Sequence, residues 1–155
     1  ISEILRLWSP IPVLFRVCAK PFLIVPSLPH EKEVTIEPGT EIIIPSFAIH
    51  RNRKYFKNPD KFDPERFNDK NKAQINLYTY HAFGVGPRFC IGNRFALMVM
   101  KTIMFSILSR FQIVPVKKTA IPFVPSKNSV LLRSAHGYWF GLKRRQNGNQ
   151  LKNDE

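Results

Sequence analysis

The chain has 155 residues, 44% of them hydrophobic, which is enough for one modest domain with a packed core. Its net charge of +13 calls for an anionic partner, an acidic protein or an anionic membrane surface; no zinc-finger spacing or aromatic–basic RNA-binding pattern is present, which argues against nucleic acid. Two cysteines, Cys18 and Cys90, do not make a disulfide framework and point to a reducing compartment.

Residues 1–7, "ISEILRL", read as the last turns of an amphipathic helix, ended by Ser9, Pro10 and Pro12. With no initiator methionine and a start in mid-helix, the chain is expected to be part of a longer protein. Short strands are predicted at 13–17, 22–24, 33–36 and 41–47, and the turn signal "EPGT" at 37–40 predicts that the last two form a hairpin. Residues 58–80 carry no clear period and are expected to be an ordered, irregular loop, held by Phe62, Phe67, Tyr78 and Tyr80. Residues 93–110 predict a helix. It carries Arg94, Lys101 and Arg110 and falls short of the ~20 apolar residues of a membrane span, so it is expected to be buried in a larger protein. Further strands are predicted at 111–116, 129–132 and 137–143, and the polar tail 146–155 is expected to fray. No internal repeat is present.

The stretch "FGVGPRFCIG", residues 83–92, sets Cys90 in a glycine-rich loop that feeds the long helix. A thiolate there is favoured by the helix macrodipole and free backbone N–H groups. Gly84, Gly86 and Gly92 let the backbone turn sharply and approach something flat or bulky. Arg88 can pair with an anionic group on that ligand, and Phe83 and Phe89 offer apolar cover. The pattern describes a buried, electron-rich sulfur facing a large planar cofactor with acidic substituents. Simpler readings stand beside it. A lone cysteine can be a small buried hydrophobe. A nucleophilic cysteine would want a histidine, and His81 is near in sequence though not thereby in space. Zinc needs more ligands than one cysteine and four scattered histidines supply.

This loop resembles the haem-binding loop of the cytochrome P450 family, matching Phe-x-x-Gly-x-Arg-x-Cys-x-Gly at Phe83, Gly86, Arg88, Cys90 and Gly92, with the family's following alanine at Ala96. Two further marks agree. "EILR" supplies Glu3 and Arg6 of the family's upstream Glu-x-x-Arg, and "PERF" spans Pro64 to Phe67. The resemblance covers residues 1–143 and is nearest to insect microsomal members that metabolise xenobiotics. "YHAFG" and "WSP" depart from it, with His81 and Ala82 where an apolar residue and a proline are usual, and Ser9 where proline is frequent.

The resemblance implies an α+β fold class: residues 1–145 as the C-terminal, haem-ligating portion of a mainly helical domain, with short sheets and one long buried helix after the cysteine loop. It implies haem b, with Cys90 as proximal thiolate ligand, catalytic and metal-binding, whose electron donation favours O–O cleavage. Arg88 and Arg16 would meet the propionates, Phe83 would shield the sulfur side, and Gly86 and Gly92 would let the loop approach the ring. Glu3, Arg6 and Arg66 would form a buried charged cluster fixing the meander behind the loop. Ile11, Pro12 and Val13 would line the substrate pocket. The implied activity is a monooxygenase inserting one oxygen atom into a lipophilic small molecule, with electrons from NADPH through a flavoprotein reductase, and cytochrome b5 as a second candidate donor. Arg94 and Lys101 would contribute to the reductase-binding face. An upstream anchor would place the protein in the endoplasmic reticulum membrane. The alternatives are a haem-binding fragment or relative without oxygen activation, and a basic nucleic-acid module that would leave the cysteine loop unexplained.

Overall fold

In a computed structural model that describes residues 1–145, Ser2–Leu7 forms helix α1. The polar tail expected at 146–155 lies outside the described residues. The helix buries Glu3, Leu5, Arg6 and Leu7. Ser9 ends it by donating its hydroxyl hydrogen to the Ile11 carbonyl at 3.1 Å, and Pro10 and Pro12 hold the chain extended. Four short strands follow, β1 (Leu14–Val17), β2 (Phe22–Ile24), β3 (Val34–Ile36) and β4 (Glu41–Ile44).

The strands pair differently from the sequence expectation. β3 lies antiparallel to β2, with Phe22 opposite Ile36, and β4 lies antiparallel to β1, with Leu14 opposite Ile44. The predicted hairpin between 33–36 and 41–47 does not form. The turn at 37–40 does exist, but it passes the chain from one pair to the other. Gly39 N–H donates to the Cys18 carbonyl at 2.8 Å and Cys18 N–H to the Thr40 carbonyl at 2.9 Å, which prolongs the β1–β4 ladder past Val17. Loop 25–33 is closed by the Glu31 carboxylate, which accepts from Ser27 and Leu28 N–H at 2.8 and 3.0 Å. The end of the predicted fourth strand is instead a short helix, α2 (Ser46–Ile49), begun at Pro45, which has no N–H to give a ladder.

Residues 58–80 are irregular, as expected, and carry three 3-10 turns, Pro64–Phe67, Lys72–Gln74 and Leu77–Thr79. Asp63 and Asn76 cap the first and last by accepting from Glu65 N–H at 3.2 Å and Tyr78 N–H at 2.8 Å.

Beyond Cys90 come α3 (Asn93–Leu108), β5 (Phe111–Val114) and β6 (Gly141–Arg144); β5 and β6 are antiparallel, with Phe111 opposite Arg144. Pro115 ends β5. The strand expected at 129–132 is absent. Ser126 N–H donates to Arg133 and Ala135 N–H to Val124, both at 2.8 Å, which closes that stretch into a loop with Val130 in solvent. The expected strand at 137–143 is shortened to β6, because the Trp139 indole N–H turns back to the His136 carbonyl at 3.0 Å. Helix α3 forms where predicted, and none of its residues is buried: Phe95, Met98 and Phe105 are more than half exposed, leaving open the apolar surface that a larger protein is expected to cover. Within its own unit β5 packs on it, and one hairpin strand cannot cover an apolar helix on all sides.

The chain divides into two compact units, residues 2–89, and the residues from Cys90 onward together with Ile1. Buried apolar residues among those described are Leu5, Leu7, Cys18 and Phe56, outnumbered by buried Glu3, Arg6, Ser9, Ser46, His50, Thr79 and His81. Hydrogen bonding therefore organises this core as much as apolar contact does. Helices and antiparallel strand pairs together make an α+β mixture. Among the described residues no helix is long and apolar enough to cross a membrane.

Candidate functional site

The cysteine loop is built from turns that need glycine. Gly84 N–H donates to the His81 carbonyl at 3.0 Å, and Gly84 and Gly86 hold φ of +78° and +74°, the left-handed region that other residues enter at a cost. Gly86–Arg88 is a 3-10 turn with Pro87 inside it, closed by Phe89 N–H to the Gly86 carbonyl at 3.0 Å. That turn ends the first unit with Pro87, Arg88 and Phe89 exposed; Arg88 has no ion partner or hydrogen bond among the described residues. Phe83 is half-buried.

The second unit opens with Cys90, which is exposed and forms no disulfide. Asn93 N–H reaches the Cys90 carbonyl at 3.3 Å and Ala96 N–H the Gly92 carbonyl at 2.9 Å, so α3 starts directly behind the cysteine. No side chain caps α3, which leaves first-turn N–H groups available. A Cβ on Gly92 would meet the Cys90 Sγ at 4.0 Å, so glycine keeps that side of the sulfur clear. Ile91 is fully exposed, and Phe95 follows at 68%. Cys90, an exposed soft donor followed by the apolar Ile91 and Phe95, suits a soft-accepting metal in a large apolar group, and Arg88, two residues earlier in the sequence, suits an anionic substituent. The residues present fit haem.

Glu3, Arg6 and Arg66 meet within the first unit. Arg6 is wholly buried and Glu3 is 2% exposed. Arg6 Nε and Nη2 donate to the two Glu3 carboxylate oxygens at 2.7 and 2.8 Å, a bidentate pair. Its Nη1 donates to the His50 carbonyl at 2.6 Å and its Nη2 to the Pro59 carbonyl at 2.7 Å. Glu3 Oε1 also accepts from Asp63 N–H at 3.0 Å. Arg66 Nε lies 3.4 Å from Glu3 Oε1, close enough for ion pairing though outside hydrogen-bond geometry, while its Nη2 donates to the Asn58 carbonyl at 2.8 Å. Asn58 takes φ +48°, which asparagine tolerates better than most residues. One buried ion pair thus fastens α1 to residues 50, 59 and 63.

Arg16 sits in β1 opposite Ile42 and donates to the Phe15 carbonyl at 2.8 Å. Ile11 is 52% exposed, and Pro12 and Val13 are half-buried just before β1, where the Pro12 carbonyl accepts from Phe47 N–H at 2.8 Å. Sequence reasoning missed His50 and Arg51, and named Tyr80 only as a packing residue of the irregular loop. His50 is buried between α1 and His81. Arg51 lies 3.7 Å over the Phe47 ring and 5.1 Å from that of Trp8. Tyr80 donates to the Ser2 carbonyl at 3.1 Å, its phenol pushed by burial up to about 12. The only signal for these was polar residues inside an apolar setting, as in "FAIHRN".

A family model described as cytochrome P450 matches residues 1–139. Cytochrome P450 9e2 of Blattella germanica is 46% identical over 147 residues, which cover 95% of this chain and 27% of that protein. Cytochrome P450 6k1 of the same insect is 40% identical over 137 residues, 88% of this chain and 25% of the relative. Cytochrome P450 3A9 of Rattus norvegicus is 44% identical over 131 residues, 84% of this chain and 25% of the relative. The chain spans about a quarter of the length of these curated relatives.

Proposed function

The chain belongs to the cytochrome P450 family, and from that premise we propose that it is the thiolate-bearing part of a haem monooxygenase acting on lipophilic small molecules. The observation that carries this is the exposed Cys90 thiol at the uncapped start of α3, two residues after an exposed Arg88 without an ion partner among the described residues. Cys90 as thiolate would hold the iron of haem b. Arg88 and Arg16 would pair with its carboxylates, Phe83 would shield the sulfur side, and Gly86 and Gly92 keep the backbone clear of the ring. When bound, the haem supplies the oxygen-activating one-electron chemistry. Glu3, Arg6 and Arg66 act at a distance, by fixing the meander that precedes the loop.

Ile11, which is exposed, and Pro12 and Val13, which are only partly so, are the proposed substrate contacts, all three apolar. Electrons would come from NADPH through an acidic flavoprotein reductase, or from cytochrome b5, docking on a basic face to which the exposed Arg94 and Lys101 of α3 contribute. The proposed location is the endoplasmic reticulum membrane, on the cytoplasmic side. The test is the full-length protein carrying this chain: a carbon-monoxide difference spectrum of the reduced protein, then reductase-dependent turnover of a lipophilic probe. A thiolate spectrum with turnover is expected. The spectrum without turnover would leave a haem-binding relative, and no thiolate spectrum would overturn the reading.

A further inference from the structure

The core of the first unit holds two buried histidines that the haem reading does not use, His50 with no exposed surface and His81 with 6%. His50 follows α2 and reaches two ways. Its Nδ1 lies 3.0 Å from the Arg6 carbonyl oxygen, which can only accept, so Nδ1 carries the hydrogen. Its Nε2 lies 2.7 Å from the His81 backbone N–H, which can only donate, so Nε2 must keep its lone pair. The two bonds admit one neutral tautomer. Arg6 returns a bond to the His50 carbonyl, so helix and histidine are tied twice.

His81 is the far end of this tether. Its ring is held by the Tyr78 carbonyl at 2.6 Å from Nε2 and by Ser46 Oγ at 3.5 Å from Nδ1. Its own carbonyl accepts the Gly84 N–H, the first bond of the turn that runs through Gly86 and Arg88 to Cys90. We propose that neutral His50 is a positioning residue for the cysteine loop: it hangs the His81 backbone from the Arg6 carbonyl, and a proton on Nε2 releases that approach. Its consequence for haem rests on the haem-thiolate reading; the tether itself does not.

The surroundings oppose that proton. Arg6, Arg51 and His81 face His50 with positive or ionisable groups; Tyr80 stacks on it at 5.5 Å between ring centroids and Phe56 meets it edge-on at 6.3 Å. Glu3 is already committed to Arg6. Burial first, then His81, Arg6 and Arg51, lower His50 from 6.5 to about 4, against the opposing pull of the Arg6 carbonyl.

The experiment uses the full-length protein and amide hydrogen exchange, corrected for the intrinsic pH dependence, in a peptide containing His81. At neutral pH the His81 amide should exchange at least about tenfold faster in His50→Phe, which keeps a ring and loses both bonds. In the wild type, protection should fall as pH drops toward 4. In His50→Gln, whose side-chain carbonyl can accept at the Nε2 position but does not titrate, protection should persist, and the haem-thiolate band should survive acid better than in the wild type. Equal protection in wild type and His50→Phe, or identical acid profiles in wild type and His50→Gln, would overturn the proposal. If His50→Phe does not fold, the glutamine profile decides. A wild type without a thiolate spectrum would overturn the haem reading and leave the exchange data to judge the tether.

Discussion

The Glu3–Arg6 cluster and the Cys90–α3 segment are opposites in how their polar and apolar atoms are used. Every nitrogen of the Arg6 guanidinium donates to an acceptor in this chain, and Glu3 takes hydrogen bonds from Arg6 and Asp63 with Arg66 alongside. Along residues 88–95, Arg88, Phe89, Cys90, Ile91 and Phe95 are all exposed. A group that is satisfied internally can only hold structure. A reactive or charged group left open is able to contact something else. On the proposed reading the cluster is scaffold and the loop is site.

The sharpest way to break that contrast is Cys90→Ser in the full-length protein. It should abolish the haem-thiolate spectrum entirely while leaving the fold of residues 2–89 intact by circular dichroism; a surviving thiolate band would remove Cys90 from the site. Glu3→Ala comes next. It strands a buried guanidinium, which costs roughly 3–5 kcal/mol, so holoenzyme should not accumulate although no haem contact was touched. Normal haem content in that variant would demote the cluster to an ordinary ion pair.

Acid should find the same scaffold through His50. Unfolded, it binds a proton near pH 6.5; folded, near 4. Between those values the unfolded chain holds more protons, so stability is fully present above 6.5 and is lost as pH falls toward 4, by up to about 3 kcal/mol. Urea midpoints at neutral and acid pH should show this slope, and His50→Gln should flatten it. On the open side the effects are smaller. Arg88→Ala should weaken haem retention roughly tenfold, about 1.4 kcal/mol, with Arg88→Lys between, measured by transfer of haem to apomyoglobin. Lys101→Glu should slow reduction by the reductase a few-fold at low salt, with the difference vanishing at high salt, because exposed charges act on association and are screened.

Much of the site was legible because its residues lie close together in the chain. The cysteine loop needs glycine at set offsets from the thiol, and Gly84 and Gly86 do take the left-handed conformations that the spacing suggests. Glu3 and Arg6 sit three apart on one helix, a separation that places them side by side. Helix α3 was legible from its apolar run and began at Asn93 as expected. Its exposure was legible too, since the sequence offers one long helix and no second helical layer to cover it.

Sequence by itself determined the chemistry carried on short segments: the thiol loop, the Glu-x-x-Arg helix, the Pro-Glu-Arg-Phe turn and the irregular course between them. Tertiary structure alone decided the partners. β3 could have paired with β4 across a good turn, but Cys18 and Gly39 drew β4 to β1 and left β3 to β2. Arg6 found carbonyls at His50 and Pro59, and His50 found Arg6 and His81. Local pattern reaches only about one helical turn or one strand alternation along the chain. The acceptor for a buried donor lies wherever the backbone happens to return, and burial without one costs too much for the choice to stay open.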